Sequence, residues 1–441
     1  MIPVSGLTEE SGFGIHRLRG LLKDRLLRNA GYLLGVTIVG SVSGFVFWTL
    51  AARLYTTEEV GLASSVISII QLLAGIASLG LGVGLVRYLS ESDDPSRTLN
   101  ATFTLTFLTS LAVGAAYLIG IEVWSPTLRI LARNPLYAGG FMGFLVVAVL
   151  GMLMQMAYLA LRRAELGFWQ VVVMNALRLT LVVILASMGG VGVVAALCVA
   201  MLAAEAVGMF VFMPRLAKGF RPRLRWSTEV TGTLVPYSIA NYLADLLYRA
   251  PLLLAPPLAL ERLGANSSAH AYVAWMIGSI LASPGLSLAT SAFAEGSHAP
   301  SDLRPTLLRA GRYAAMFTLP IALLTFAGAS WILAIFGRSY ADEGAALLRW
   351  LALTAPLMVF VGLYFSALRV RKRIRELVLL SGLICATTLV VPLLAIDRYG
   401  LSSMGAGWLV GHALVSFFVG MRLLRGRDFI YPETEKVGFD K

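Results

Sequence analysis

The sequence predicts an all-α integral membrane protein with twelve transmembrane helices in two six-helix bundles. Three observations lead to this prediction: the composition, the number of long apolar stretches and the distribution of basic residues. Hydrophobic residues make up 58% of the 441 residues and charged residues only 14%, with a mean hydropathy of +0.78. A soluble globular domain is about half apolar and about one quarter charged. The chain therefore has too much apolar surface to fold in water.

Twelve stretches are long enough to cross a bilayer, which takes about 20 mostly apolar residues per helix. We number them helices 1 to 12: 30–52, 60–86, 99–121, 138–161, 169–189, 191–213, 230–258, 269–294, 313–336, 346–368, 377–396 and 401–423. Helices 5 and 6 meet at Gly189–Gly190, which is the least sharply marked boundary.

The most polar internal segment, PRLAKGFRPRLRWSTE, divides the helices into two sets of six. We therefore expect five parts: a cytoplasmic amphipathic segment (1–29), an N-lobe (30–213), a basic cytoplasmic linker (214–229), a C-lobe (230–423) and a cytoplasmic tail (424–441). An even number of helices per half predicts two parallel repeats, related by an axis along the membrane normal.

The basic residues predict the orientation. Of the 36 Lys and Arg residues, the outward loops hold only Arg53, Arg129, Arg133, Arg262, Arg338, Arg349 and Arg398. Because basic residues concentrate in cytoplasmic loops, we expect a multi-pass plasma-membrane protein with both termini in the cytoplasm. The net charge of +12 follows from this topology, so we expect no nucleic-acid partner.

No pattern in the sequence is typical of an enzyme. The four histidines are scattered, and the acidic pairs Glu58–Glu59 and Asp342–Glu343 fall in short loops. A membrane glycosyltransferase or polymerase would be expected to carry acidic residues on a substantial outer loop. We therefore predict no enzymatic activity, no cofactor and no metal.

Polar residues recur at helical spacing on four of the twelve helices. They are Thr37, Ser41, Gly44 and Trp48 on helix 1; Ser64, Ser68, Gln71, Gly75, Ser78 and Gly82 on helix 2; Tyr237, Asn241, Asp245 and Arg249 on helix 7; and Ser279, Ser283, Ser287 and Ser291 on helix 8. Residues three, four and seven apart share one face of a helix, so the four faces could surround one hydrated cavity. Close packing through small residues is the alternative.

Four intramembrane charges need partners, because an unpaired charge in a bilayer is costly. Asp245 and Arg249 are four residues apart and could pair along helix 7. Pro251, Pro256 and Pro257 follow them and are expected to bend that helix. Arg178 and Glu205 lie at similar predicted depths on helices 5 and 6. We predict a salt bridge between them, and the alternative is that Glu205 exchanges a proton during transport.

Three stretches resemble the oligosaccharide flippases of the multidrug/oligosaccharidyl-lipid/polysaccharide exporter superfamily. They are FWTLAARLYTTEEVGLASS at 47–65, ASLGLGVGLVRYLSE at 77–91 and ILAIFGRSYADEGAALLRWLAL at 332–353. The resemblance implies a V-shaped pair of bundles with helices 1, 2, 7 and 8 around a central cavity. It also implies alternating-access transfer of a polyprenyl-(pyro)phosphate-linked oligosaccharide from the inner to the outer leaflet, for cell-surface polysaccharide or glycan assembly.

The candidate substrate-binding residues come from the polar faces, since no family binding motif can be matched position by position. Arg249, with Arg53 near the outer mouth, would attract the carrier phosphate, and Asp245 would orient Arg249. Four further residues would contact the sugar: Asn241 and Gln71 by hydrogen bonds, Trp48 and Tyr248 by stacking.

A second hypothesis is a proton- or sodium-coupled multidrug or cation exporter on the same fold, with Glu205 and Asp245 as coupling acids. An acid-rich cavity favours this exporter, whereas a positively charged cavity favours the flippase. In the flippase hypothesis the partners are the lipid-linked oligosaccharide and membrane lipids. A coupling ion is a further possible partner, and the sequence does not decide between a proton and sodium. We expect a monomer.

Overall fold

The computed structural model describes residues 25–89, 92–217, 219–228, 230–298 and 303–424. Within these ranges the chain is α-helical apart from turns, short 3-10 and π segments and the connection at 219–227. Twelve of the described helices are long and apolar enough to cross a membrane. The predicted fold class is confirmed. Residues 1–24 and 425–441, which hold most of the predicted amphipathic segment and tail, lie outside the described residues.

We label the twelve long helices α1 to α12, in the order of the predicted helices. The first bundle contains α1 (Arg25–Leu54), α2 (Thr57–Ala77), α3 (Pro95–Ile119), α4 (Pro135–Ala160), α5 (Ala164–Ile184) and α6 (Gly190–Val207). The second contains α7 (Val235–Leu263), α8 (Ala265–His298), α9 (Leu303–Ala334), α10 (Arg338–Val370), α11 (Ile374–Tyr399) and α12 (Ser402–Leu424).

Most helices extend beyond the predicted apolar stretches. α9 begins at Leu303, although the stretch that predicts it begins at 313. Hydropathy marks only the part of a helix that suits the bilayer core, and the helical backbone continues beyond it. Start signals in the sequence fix some ends exactly: Thr56 caps α2 through a capping box with Glu59, and Asp94 caps α3 just before Pro95. Such caps satisfy backbone N–H groups that have no partner within the helix.

Predicted helix 2 is interrupted, and the expectation of one continuous helix over 60–86 is wrong. Leu79 and Gly80 have φ angles of 50° and 67°, and a short helix (Leu81–Tyr88) follows. Gly80 takes up the left-handed conformation without strain, since it has no Cβ. A Cβ there would also lie 2.5 Å from the Cβ of Tyr242 on α7. The break therefore allows α7 to approach α2 closely.

The segment that joins the bundles lies against α3. The Arg223 N–H donates to Oδ1 of Asn100 and the Arg225 N–H donates to Oγ1 of Thr104, both at 2.9 Å. We call this end of the molecule, where α1 and α7 begin, the linker side, and the opposite end the far side. α7 stays helical through its three internal prolines. α2 of the first bundle packs against both α7 and α8 of the second.

Candidate functional site

The two bundles separate between α1 and α8 toward the linker side. The ring centroids of Trp48 on α1 and Tyr272 on α8 lie 4.3 Å apart, and Trp48 is 5% exposed. Two and three turns nearer the linker side, on the same helix faces, the polar side chains are exposed. They are Ser41 and Thr37 on α1, and Ser279 and Ser283 on α8. Because residues seven and eleven apart share a helix face, we interpret this exposure as a space between the bundles.

The far side of this space is closed by α2 and α8. A Cβ placed on Gly61 would lie 1.7 Å from the carbonyl oxygen of Ala265, so the two backbones are in direct contact. Nearby, the hydroxyl oxygens of Ser65 and Ser268 lie 2.7 Å apart, and the Ser268 hydroxyl also donates to the Gly61 carbonyl at 3.1 Å. Small side chains are what allow helices to cross this closely.

Arg53 also joins the bundles at the far side. Its Nε and Nη2 donate to the Ile335 carbonyl at 3.0 and 2.7 Å, and Nη2 donates to the Ala334 carbonyl at 3.3 Å. These carbonyls lie at the C-terminal end of α9, where the helix dipole favours a cation. On another part of the far side, the Thr127 hydroxyl donates to Glu261 at 2.8 Å. The Arg53 guanidinium, which was predicted to attract phosphate, is thus hydrogen-bonded to backbone carbonyls.

Asp245 pairs with an arginine of another helix and not with Arg249. Nη2 of Arg369, at the linker-side end of α10, donates to Oδ1 of Asp245 at 2.5 Å. Both side chains remain partly exposed, 45% for Asp245 and 37% for Arg369. A pair along one helix stabilises it by only about 0.2–0.5 kcal/mol, so a partner from another helix readily replaces it. The hypothesis that Asp245 orients Arg249 is corrected accordingly.

Arg249 is exposed on the face of α7 that turns toward the first bundle. Seven residues earlier on this face, Tyr242 packs against α2, where a Cβ on Gly75 would lie 2.9 Å from the Tyr242 hydroxyl. Gln71 lies one turn from Gly75 and is also exposed. Since α2 and α7 run in opposite directions, Gln71 and Arg249 lie at similar heights on facing helices. Asn241 is helical, but its side chain lies outside the described part of the structure.

Tyr248 packs inside the second bundle, so its predicted position beside the sugar is corrected. Its hydroxyl oxygen lies 3.1 Å from Nε2 of His412, and its ring contacts those of Phe365 and Trp408. Nδ1 of His412 is 2.9 Å from the Trp408 carbonyl. Nδ1 therefore donates, and Nε2 accepts from Tyr248. Successive residues on a helix are rotated by about 100°, so Tyr248 and Arg249 lie on different faces.

The predicted salt bridge between Arg178 and Glu205 is absent among the described residues, and this prediction is wrong. Nε2 of Gln170 on α5 instead donates to Oε2 of Glu205 at 2.5 Å. Because α5 begins at Ala164 rather than at 169, Arg178 lies deeper than predicted. It follows Gln170 by two turns, or about 12 Å at about 1.5 Å per residue.

Arg178 lies instead at the closed end of the space between the bundles. Its Nη2 is 3.7 Å from the position of a Cβ on Gly44, and its guanidinium carbon is 5.6 Å from the ring centroid of Phe47. The Nε atom is buried without a hydrogen-bond partner in the described part of the chain. A cation over an aromatic ring is attracted by about 0.5–2 kcal/mol.

Glu205 lies inside the first bundle, with 8% of its surface exposed. A Cβ on Gly151 would lie 2.5 Å from its Oε1, so glycine is what allows the carboxyl group to fit. Beside it, the Tyr158 hydroxyl and Oε1 of Gln170 are buried and have no hydrogen-bond partner among the described residues. The neighbours that the structure shows for this carboxyl group are neutral.

The charges assigned to the space between the bundles are predominantly positive. Among the described side chains, Arg178, Arg249 and Arg369 contribute three cations, and Asp245 contributes one anion that Arg369 already binds. Low-dielectric walls strengthen the attraction of such a space for anions. Sequence reasoning missed Arg369, because a basic residue at the end of a helix resembles an ordinary loop charge.

The chain matches a family model over residues 50–343, which is more than half of its length. That model describes polysaccharide biosynthesis proteins. The chain belongs to this family. No curated protein matches its sequence.

Solved structures with the same fold as this polysaccharide biosynthesis protein are transporters of the MOP superfamily and a lipid flippase. The inward closed conformation of the lipid II flippase MurJ has a TM-score of 0.71 at 11% identity, covering 89% of this chain and 87% of MurJ. An inward-facing multidrug resistance MATE transporter has a TM-score of 0.64 at 17% identity, covering 86% and 94%. A MOP superfamily transporter from Pyrococcus furiosus has a TM-score of 0.64 at 16% identity, covering 97% and 100%. At these identities the likeness shows the fold.

Proposed function

We propose that this protein flips a polyprenyl-(pyro)phosphate-linked oligosaccharide from the inner to the outer leaflet by alternating access, for cell-surface polysaccharide or glycan assembly. The observation that carries the proposal is the surplus of arginine in a space that is open on one side and closed on the other. A phosphate or pyrophosphate group is the part of such a substrate that needs cations. The family and the fold shared with a lipid II flippase support the same substrate class.

The orientation follows from the basic residues. Both termini and the linker are assigned to the cytoplasm by their Lys and Arg content, so the linker side is the cytoplasmic side. The open space would then receive substrate from the inner leaflet. Each chain contains both bundles and a complete space, which supports a monomer.

The residue roles combine the sequence hypotheses with the observed positions. Arg249 binds the carrier phosphate on arrival, and Gln71 on the facing helix, with Asn241, hydrogen-bonds sugar hydroxyls. Arg178 at the closed end is a second anion-binding cation, and Trp48 becomes available to stack on a sugar ring when its contact with Tyr272 opens. Asp245 restrains Arg369 in place of Arg249. The observed contacts of Arg53 assign it to far-side closure in this state, and its guanidinium becomes available for phosphate when the far side opens.

The test is transport by Arg249→Ala in proteoliposomes, read as protection of a fluorescent lipid-linked oligosaccharide from a membrane-impermeant quencher. We expect transport to be abolished while the protein remains folded. Arg312→Ala is the matched control, since Arg312 is an exposed arginine on α9. Normal flipping by Arg249→Ala would contradict the assignment.

The buried carboxyl group of Glu205 favours a second candidate, the proton- or sodium-coupled export of drugs or other organic cations. The fold shared with a multidrug resistance MATE transporter supports it. The surplus of arginine in the space disfavours a cationic substrate, and Asp245 is already bound by Arg369. Efflux of a fluorescent organic cation that depends on an imposed proton or sodium gradient, and is lost in Glu205→Gln, would support this exporter over the flippase.

A further inference from the structure

The linker-side ends of α11 and α12 form an apolar groove on the outside of the second bundle. The groove has a volume of about 630 Å³. Leu379 and Leu383 of α11 and Leu414 and Phe418 of α12 line it, with Glu376 and Arg422 at its rim. Leu379 is 73% exposed and Phe418 46% exposed. Both helices are long and apolar enough to span the bilayer, so the groove lies where lipid chains pack.

The rim of this groove holds more positive than negative charge. Among the described side chains, a single carboxylate, Glu376, binds two guanidinium groups: Nη1 of Arg422 at 2.5 Å and Nη2 of Arg373 at 2.9 Å. Lys372 and Arg375 are exposed beside them. Arg375 precedes Leu379 by one helical turn, so the two residues lie on the same side of α11. The rim therefore carries an unbalanced positive charge directly above an apolar surface.

The connection between α10 and α11 contains three consecutive basic residues, Arg371, Lys372 and Arg373. Burial, together with the positive charge of Arg373, lowers the pKa of the Arg371 guanidinium, while Tyr364 acts in the opposite direction. The Tyr364 hydroxyl donates to Glu376 at 2.6 Å. Glu376 is thus engaged by three groups of the protein, and Lys372 and Arg375 are exposed to an anion from outside.

The apolar groove and its cationic rim together indicate which class of ligand can bind: one with both an apolar chain and a negative charge. Basic residues at the ends of transmembrane helices lie at the level of lipid head groups and attract anionic lipids. A free phosphate ion would leave the groove unfilled. A zwitterionic lipid carries its own cation and would gain less at this rim. A diacyl lipid with a net negative head group satisfies both parts.

We propose that this groove is a binding site for an anionic glycerophospholipid. Its phosphate lies near Lys372 and Arg375, and one acyl chain lies along Leu379, Leu383 and Phe418. The site is on the outer surface of α11 and α12 and shares none of these residues with the space between the bundles. It does not depend on the transported substrate.

The test is native mass spectrometry of the full-length protein in mild detergent, with equal concentrations of phosphatidylglycerol and phosphatidylcholine. We expect one phosphatidylglycerol to bind in preference, and excess inorganic phosphate not to displace it. Lys372→Gln with Arg375→Gln should reduce the preference by up to about thirtyfold, from about 1 kcal/mol per basic residue.

The matched control is Arg304→Gln with Arg312→Gln, which removes two exposed arginines near the linker-side start of α9. This control should keep the preference. Leu383→Trp, which fills the groove and leaves the rim intact, should lower the binding of both lipids. Equal binding of the two lipids by the unaltered protein would overturn the proposal. An equal loss in the control pair, or displacement by inorganic phosphate, would do the same.

Discussion

The Arg369 guanidinium binds the Asp245 carboxylate at 2.5 Å and so joins the end of α10 to the cavity face of α7. Both side chains are more than one third exposed, so the pair should contribute no more than a surface pair, about 0.2–1 kcal/mol. A double-mutant cycle with Asp245→Ala and Arg369→Ala, followed by thermal unfolding in detergent, measures this coupling. Strictly additive effects would show that the pair is not formed in solution.

Asp245→Asn should change transport more than stability. The substitution leaves Arg369 without its carboxylate and adds a free cation to the space between the bundles. Under the proposed function, we expect tighter substrate binding and slower release, so the KM and the maximal rate fall together in the proteoliposome assay. The control is Asp342→Asn, which changes an exposed far-side aspartate paired loosely with Arg338 at 3.9 Å. A rise in KM would contradict this account.

Arg53→Ala should favour opening of the far side. The change removes the hydrogen bonds to the terminal carbonyls of α9 and the favourable interaction of a cation with that helix end. Labelling of Ser268→Cys, placed in a variant without Cys198 and Cys385, should increase several-fold with a membrane-impermeant thiol reagent. Arg129→Ala, another exposed far-side arginine, should leave labelling unchanged. If labelling increases equally in both variants, the cause is the loss of surface charge and not the loss of the Arg53 contact with α9.

Gly61→Ala should destabilise the closed far side, because the added Cβ would lie 1.7 Å from the Ala265 carbonyl oxygen. The helices would have to move apart, and overpacking of this kind costs about 1–3 kcal/mol. Gly40→Ala is the matched control, since nothing lies within 4 Å of a Cβ at that position. We expect a lower unfolding temperature for Gly61→Ala only. Equal values for the two variants would mean that α2 and α8 do not cross as closely as described.

The double variant that exchanges the two charges, Arg178→Glu with Glu205→Arg, should not fold. The two residues do not touch, and the exchange would place a carboxylate among aromatic rings and a guanidinium against Gly151 and Gln170. Glu205→Gln should keep its folded yield, measured by fluorescence-detected gel filtration, because an amide can replace the carboxyl group beside neutral partners. Recovery of the exchanged variant to the level of the unaltered protein would restore the salt-bridge interpretation.

Tyr248→Phe should cost about 1 kcal/mol, the typical net value of one hydrogen bond, through loss of the bond to His412. Tyr248→Ala should cost about 3–5 kcal/mol, because it leaves a cavity in the second bundle. Thermal unfolding separates the two substitutions, and Tyr248→Phe should transport normally. Loss of transport in a stable Tyr248→Phe protein would return this residue to the substrate site.

The helices could be predicted from the sequence because hydropathy, capping residues and helical spacing are local properties. The partners of the charged residues could not be predicted, because each pairing depends on the height and rotation of helices that are distant in the chain. A shift of five residues in the start of α5 was enough to separate Arg178 from Glu205. Asp245 pairs with Arg369, which is 124 residues away in the chain and which the sequence marks only as an ordinary loop charge. The interruption at Leu79 and Gly80 was missed because the residues around it are as apolar as the helix interior.

The far side is closed by polar contacts together with apolar residues of both bundles that share one buried core. The polar contacts of Arg53, of Glu261 and of the serine pair at the Gly61 crossing lie at three places, and hydrogen bonds of this kind contribute about 0.5–1.5 kcal/mol each. Contacts that break one after another present several low barriers in place of a single high one. The polar part of this closure can therefore be weakened one contact at a time, by substitution of single residues.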